Sequence, residues 1–110
     1  MIEEPTFKVQ KYADISTGHV SEEDIKLLGS FARDADNTIM ASDYGYGFFL
    51  RLCDEGYYAK EGNRLEFLGF GFSENLWNLL KRCTNEGFQG IQLDCDGSTY
   101  DNLTAFNTER

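Results

Sequence analysis

The chain has little of what enzymes commonly use. It has one histidine, His19, and three cysteines, Cys53, Cys83 and Cys95, with no CxxC spacing. A zinc site would take every cysteine together with His19, at spacings that fit no zinc-ligand pattern, so no cofactor or structural metal is expected. An odd number of cysteines suits small core hydrophobes in a reducing compartment, with Cys83 and Cys95 on buried faces. GxSxG, P-loop and GxGxxG patterns are missing. Gly45-Tyr46-Gly47 and Gly69-Phe70-Gly71 read instead as turn glycines beside aromatics. No apolar run approaches the roughly 20 residues of a membrane span. The opening residues, MIEEPTFKVQ, have neither a basic n-region nor an apolar h-region. No secretory leader is expected, and the setting reads as cytoplasmic.

Cations are the other shortage. Ten Lys and Arg stand against 19 Asp and Glu, a net charge of −9. Direct binding to nucleic acid or to an anionic membrane is disfavoured, and a basic protein partner is favoured. Apolar residues, at 41%, and aromatics, at 15%, are abundant enough to exclude disorder. A chain of 110 residues reads as one domain. It buries about two-thirds of its unfolded surface. Residues 1–5, which hold the single proline Pro5, and 107–110 are expected to fray.

The stretch from Ser73 to Gly97 organises the rest. Ser73 suits an N-cap, its hydroxyl accepting from a free N–H of the first turn. Glu74 sets negative charge at the positive end of the helix dipole, and Lys81 and Arg82 suit the other end. Phe72 and Trp77 have the spacing of a hydrophobic staple. Leu76, Leu79, Leu80 and Cys83 recur at helical spacing, and Gly87 can close the helix. A helix over 74–86 follows. Ile91, Leu93 and Cys95 then alternate with Gln92, Asp94 and Asp96, which predicts a strand with one buried face. A polar second face implies helices on one side only, hence a two-layer α+β domain.

From the start of the chain, Phe7, Val9, Ala13 and Ile15 predict a strand over 6–15. A loop at Ser16-Thr17-Gly18-His19 precedes a helix capped by Ser21. Glu22, Glu23 and Asp24 fill its first turn, Ser21 and Asp24 have capping-box spacing, and Val20 with Ile25 repeats the staple. Ile25, Leu28, Ala32 and Ala35, flanked by Leu27 and Phe31, form its buried stripe. It ends near Arg33–Asp34, before an Asp36-Asn37 turn. Thr38–Ala41 begins a second strand, Asp43–Gly47 turns, and Phe48–Cys53 returns, with Asp54-Glu55-Gly56 as its break. Residues 54–72 are too apolar for a solvated loop, and Arg64–Leu68 reads as a short extra strand. Tyr100, Leu103 and Phe106 suit a packed flap. The order β-α-β-β-α-β is that of a ferredoxin-like, split βαβ domain, with a mainly antiparallel sheet and both helices on one face.

Candidate chemistry is sparse. LDCDGST at 93–99 resembles the nucleophile motif of haloacid-dehalogenase-type phosphatases, but that fold needs a long segment downstream and the chain offers only residues 98–110. Asp94 and Asp96 also form an alternative two-carboxylate cation site, which with His19 would make a small metal-dependent hydrolase. Against these stand solvated aspartates on a polar face and a histidine that braces a loop. The best functional candidate is a set of tyrosines rimmed by carboxylates: Asp43, Tyr44, Tyr46, Asp54, Glu55, Tyr57, Tyr58, Asp94, Asp96 and Asp101, with Asp34 and Asp36 nearby in sequence. Aromatic anchors with acidic steering suit a basic protein surface. The competing reading has the tyrosines completing a small core.

ISTGHVSEEDIKLL, YGYGFFLRL and GFQGIQLDCDGSTYDNLTAFN, in that order over about 15–107, resemble a family of small acidic bacterial proteins of unknown function. Members occur on plasmids, phages and other mobile elements. The resemblance brings no established activity. It implies an accessory or counter-defence setting, such as an anti-CRISPR or nucleic-acid mimic that blocks a nucleic-acid-binding host protein. A toxin–antitoxin accessory domain is a further alternative.

Overall fold

The computed structural model describes residues 9–33 and 41–106. The elements run β1 Tyr12–Ser16, a 3-10 turn Thr17–His19, α1 Glu22–Ala32, β2 Ala41–Asp43, β3 Gly47–Arg51, α2 Glu55–Tyr58, α3 Glu61–Gly69, α4 Glu74–Asn85 and β4 Gly90–Asp94. Four strands form one mixed sheet in the order β1-β4-β3-β2. β1 lies parallel to β4, and the other two pairings are antiparallel. The α+β class stands. The split βαβ arrangement would place β1 in the middle, between β3 and β4; here β4 takes that place and β1 is an edge.

Alternation decides which face is buried. Ala13, Ile15, Ala41, Phe48, Leu50, Ile91 and Leu93 are buried together, and register puts them on one face. Tyr12, Asp14, Ser42 and Arg51 lie exposed on the other. The helices therefore cover one face, as period-two patterning requires.

α4 forms as its sequence dictates. Ser73 Oγ accepts from the Leu76 N–H at 3.2 Å. Gly87, at φ 92°, ends the helix. The Phe88 N–H donates to Cys83 O and the Gly87 N–H to Thr84 O, each at 3.0 Å, which is the Schellman closure. Leu76, Trp77, Leu79, Leu80 and Cys83 are buried. α1 has its Ser21 cap, with the Asp24 N–H donating to Ser21 Oγ at 3.1 Å.

Four expectations need correction. The first strand runs Tyr12–Ser16, and Val9 is 90% exposed; Phe7 lies outside the described residues, as do Asp34, Ala35, the Asp36-Asn37 turn, Thr38–Met40 and both chain ends. The expected loop at Ser16–His19 is instead the last residue of β1 followed by the 3-10 turn Thr17–His19, which Ser16 caps, its Oγ accepting from the Gly18 N–H at 3.0 Å. Cys95 is exposed, not buried: β4 stops at Asp94, whose side chain accepts from the Asp96 N–H at 2.8 Å and turns the chain. The extra strand at Arg64–Leu68 is α3. Residues 54–72 fold as two short helices that pack rings around Trp77, with Tyr58 at 5.1 Å, Phe67 at 5.3 Å and Tyr57 at 6.1 Å between centroids.

Among the described residues, no helix is long and apolar enough to cross a membrane.

Candidate functional site

Because β1 and β4 run parallel, their C-terminal ends meet at one end of the sheet. Register brings Gly47 of β3 opposite Asp94 and Asp43 of β2 opposite Phe48 there. The hairpin between β2 and β3 is tight. Asp43 Oδ1 accepts from the Gly45 N–H at 2.8 Å, and Gly45 takes φ 96°. A Cβ on Gly47 would sit 1.8 Å from Leu93 O, so only glycine lets the hairpin lie this close to β4. Tyr44 is thereby aimed across the sheet at Asp94.

The Tyr44 hydroxyl donates to Asp94 Oδ2 at 2.5 Å and accepts from Gln92 Nε2 at 3.3 Å. Asp94 Oδ1 takes the Asp96 N–H. Donation from Tyr44, then from the Asp96 backbone, holds the Asp94 carboxyl below its ordinary value. Partial burial, then the hydrogen bond to Asp94, raises the Tyr44 hydroxyl. The Cys95 N–H bonds Tyr46 O at 3.0 Å, tying the turn after β4 to the hairpin tip. Tyr46 is 71% exposed, with its ring 6.5 Å from that of Tyr44.

Asp43, Tyr44, Tyr46, Asp94 and Asp96 are thus brought together. Glu22 and Glu23 open α1 directly after the 3-10 turn that leaves the same end of β1. Ion pairs among the described residues are Arg64–Glu61, Arg64–Glu74 and Arg82–Glu86, on α3 and α4. None reaches Glu22, Glu23, Asp43, Asp94 or Asp96. Lys11 and Arg51 sit at the opposite end, where Tyr12, Gly90 and Arg51 share a row.

The other members of the set fall elsewhere. Tyr58 is 5% exposed, a core residue whose hydroxyl accepts from the Cys53 N–H at 3.3 Å; burial raises it strongly. Tyr57 is half-buried against Trp77. Asp54 caps α2, accepting from the Tyr57 N–H at 3.0 Å. Glu55 begins that helix. Asp101 is exposed in the tail. Tyr58 and Tyr57 thus pack in or against the core, whereas Tyr44 and Tyr46 lie exposed.

Asp94, Cys95 and Asp96 offer ligand atoms within 4.8 Å of one another, a spacing that suits a cation. Both Asp94 oxygens already accept protein hydrogen bonds. His19 does not join them. It is 4% exposed; its Nε2 accepts from the Tyr100 N–H at 2.9 Å and its Nδ1 lies 2.7 Å from Thr104 O. A nitrogen that accepts carries no proton, so the proton rests on Nδ1 and donates to Thr104. Both nitrogens hold the tail, and neither is left to act as a base.

The expectation of a histidine that braces a loop is met, with Tyr100 and Thr104 as the partners the sequence did not name; sequence reasoning missed Gln92 and Asp14. Asp14 Oδ2 accepts from Ser98 Oγ at 3.0 Å. Period two in YADIS marks Asp14 as facing away from the core, but nothing local marks its partner. No curated protein and no solved structure matches the chain. Residues 12–108 match the family described as "Family of unknown function (DUF5983) C-terminal domain", and the chain belongs to that family.

Proposed function

We propose that the chain is a non-enzymatic, acidic protein-binding module whose Asp43–Asp96 end occupies a basic groove on a host protein. The observation that carries this is the gathering of Asp43, Asp94 and Asp96 around Tyr44 and Tyr46 at one sheet end, unpaired with any cation among the described residues. Exposed tyrosines supply contact area, and the carboxylates steer association. A net charge of −9 favours a basic partner over nucleic acid or membrane. The resemblance to proteins of mobile elements supports an inhibitory role of anti-CRISPR or nucleic-acid-mimic type, with a nucleic-acid-binding host protein as target.

The test compares immobilised wild type with a triple variant, Asp43→Asn, Asp94→Asn and Asp96→Asn, in host lysate over a salt series. A basic partner held at low salt, released as the Debye length shrinks to about 3 Å near 1 M, and lost in the variant is expected. Retention indifferent to both salt and substitution would refute the reading. The 4.8 Å grouping of Asp94, Cys95 and Asp96 favours one second reading, a cation site. Titration calorimetry with Mg²⁺, Mn²⁺ and Ca²⁺ tests it, and no heat at millimolar metal removes it.

A further inference from the structure

The helices cover one face of the sheet. The other face is aromatic at its centre and opposite in charge at its two ends. A Cβ on Gly90 would lie 2.4 Å from Tyr12 Cδ1, so the Tyr12 ring crosses β4 there and meets Phe49 edge-on, 4.7 Å between centroids. In the row at the other end, Gly47 stands between Tyr44 and Asp94, so the Tyr44 side chain spans it to reach the carboxylate. Between the two crossings lies an open hollow of about 780 Å³, whose lining includes Tyr12, Ser42, Tyr44, Phe49, Arg51 and Gln92. Alternation places three charged side chains of the strands on this face: Arg51 at one end, Asp94 at the other, and Asp14 at the β1 edge. Arg51 has no ion pair among the described residues. It ends β3, which Gly47 begins, and so lies about 13 Å from the row of Asp94.

We propose that this face docks on the same face of a second copy of the chain, about a two-fold axis that lies in the interface and crosses the strands at Phe49 and Gln92. Such an axis reverses strand direction, so the Arg51 end of each copy falls on the Asp94 end of the other. Each guanidinium then meets the other copy's Tyr44 ring and Asp94 carboxylate, and the rings of Tyr12 and Phe49 interdigitate across the axis. Charge selects this occupant. A uniformly basic segment would be repelled by Arg51 and a uniformly acidic one by Asp94, whereas a second copy carries the two signs in reverse order at the matching separation. Asp14 falls near its own copy, but its Oδ2 is turned to the tail, where Ser98 Oγ donates at 3.0 Å. The net charge of −9 opposes association, yet its field is screened beyond about 8 Å at physiological salt, so the facing groups decide. Four strands about 4.8 Å apart and about 17 Å long give a footprint of about 300 Å². That suits a weak, reversible dimer rather than a permanent one. The inference does not rest on the groove-binding reading, although both draw on Asp94.

The test is sedimentation equilibrium of the full chain at physiological salt, from about 10 μM to about 1 mM, where a dimer with a dissociation constant of about 0.1–1 mM is expected. Arg51→Glu sets carboxylate against carboxylate and Asp94→Arg sets guanidinium against guanidinium, so each variant alone is expected to self-associate at least about tenfold more weakly. Mixed in equal amounts, the two variants regain both opposite-charge contacts and are expected to associate as the wild type does. Asp94→Arg also breaks the Tyr44 bond, so a second measurement uses the wild type alone. Isotope-filtered NOEs are expected between Arg51 side-chain protons of a labelled copy and the Tyr44 ring of an unlabelled one. Wild type that stays monomeric at about 1 mM, a dimer that Arg51→Glu leaves intact, folded variants that fail to associate on mixing, or a dimer without the Arg51–Tyr44 contact would overturn the proposal.

Discussion

The carboxylate of Asp24 joins the N-termini of two helices 49 residues apart. It accepts the Ser73 backbone N–H at 2.9 Å and the Ser73 hydroxyl at 2.5 Å. Ser73 Oγ in turn accepts from Leu76, so a residue of α1 fixes the rotamer of the cap of α4. Asp24 is 1% exposed, yet its charge lies between two helix N-termini, where negative charge is favoured.

Asp24→Ala leaves the Ser73 N–H without its acceptor and the cap hydroxyl free to rotate. A loss of about 2–3 kcal/mol is expected by urea denaturation. Ser73→Ala removes the hydroxyl half of this contact and leaves the backbone N–H of residue 73 on Asp24, so the double variant should still fall short of the sum of the singles.

His19 anchors the tail through two backbone groups. In His19→Ala the Tyr100 N–H and Thr104 C=O lose their partner, at about 1–3 kcal/mol for the local opening. Chymotryptic cleavage after Tyr100 and Leu103 should quicken, while the far-ultraviolet dichroism of the body stays as it was.

The thiols should separate by reactivity. Burial pushes the Cys83 thiol up to about 11, and the side chain is 6% exposed. Cys53 and Cys95 are exposed, though partial desolvation raises Cys53. At pH 8, Ellman's reagent should modify Cys95 first, Cys53 more slowly, and Cys83 only under denaturant.

Asp94 sets a pH dependence of known sign. Its folded value lies below the ordinary 3.8, so its contribution is present above that value and fades as pH falls through the lower folded value. Tyr44→Phe removes the largest cause. The Asp94 carboxyl titration, followed by carbon NMR, should then move up toward 3.8, and the acid limb of the stability curve should flatten. An unmoved titration would show that the Tyr44 bond does not form in solution.

Where local rules agreed with the fold, the sequence was informative. α4 was legible from Ser73, Gly87 and the stripe Leu76, Leu79, Leu80 and Cys83, since caps and periodicity are properties of neighbours in the chain. The hairpin was legible from Gly45 and Gly47. The acidic end was only half legible. Asp43, Tyr44, Tyr46, Asp94 and Asp96 were singled out, but so were Tyr57 and Tyr58, which sit in or against the core. α3 was misread because Leu65 and Phe67 look like an alternating pair. Its two glycines, Gly62 and Gly69, weaken the helical signal, and Lys60 at its N-cap makes no side-chain cap bond.

By itself the sequence determined the class, the helices α1 and α4, the tight hairpin, the polar face of β4 and the surplus of anions. All of these follow from residues a few positions apart or from composition. Tertiary structure alone decided that β4 enters between β1 and β3, that Asp24 reaches Ser73, and that His19 holds the tail. It also decided which tyrosines turn inward to Trp77. Each of those depends on groups from 19 to 85 residues apart, and the choice among such partners is made by burial and hydrogen-bond satisfaction in the assembled fold, which no local pattern encodes.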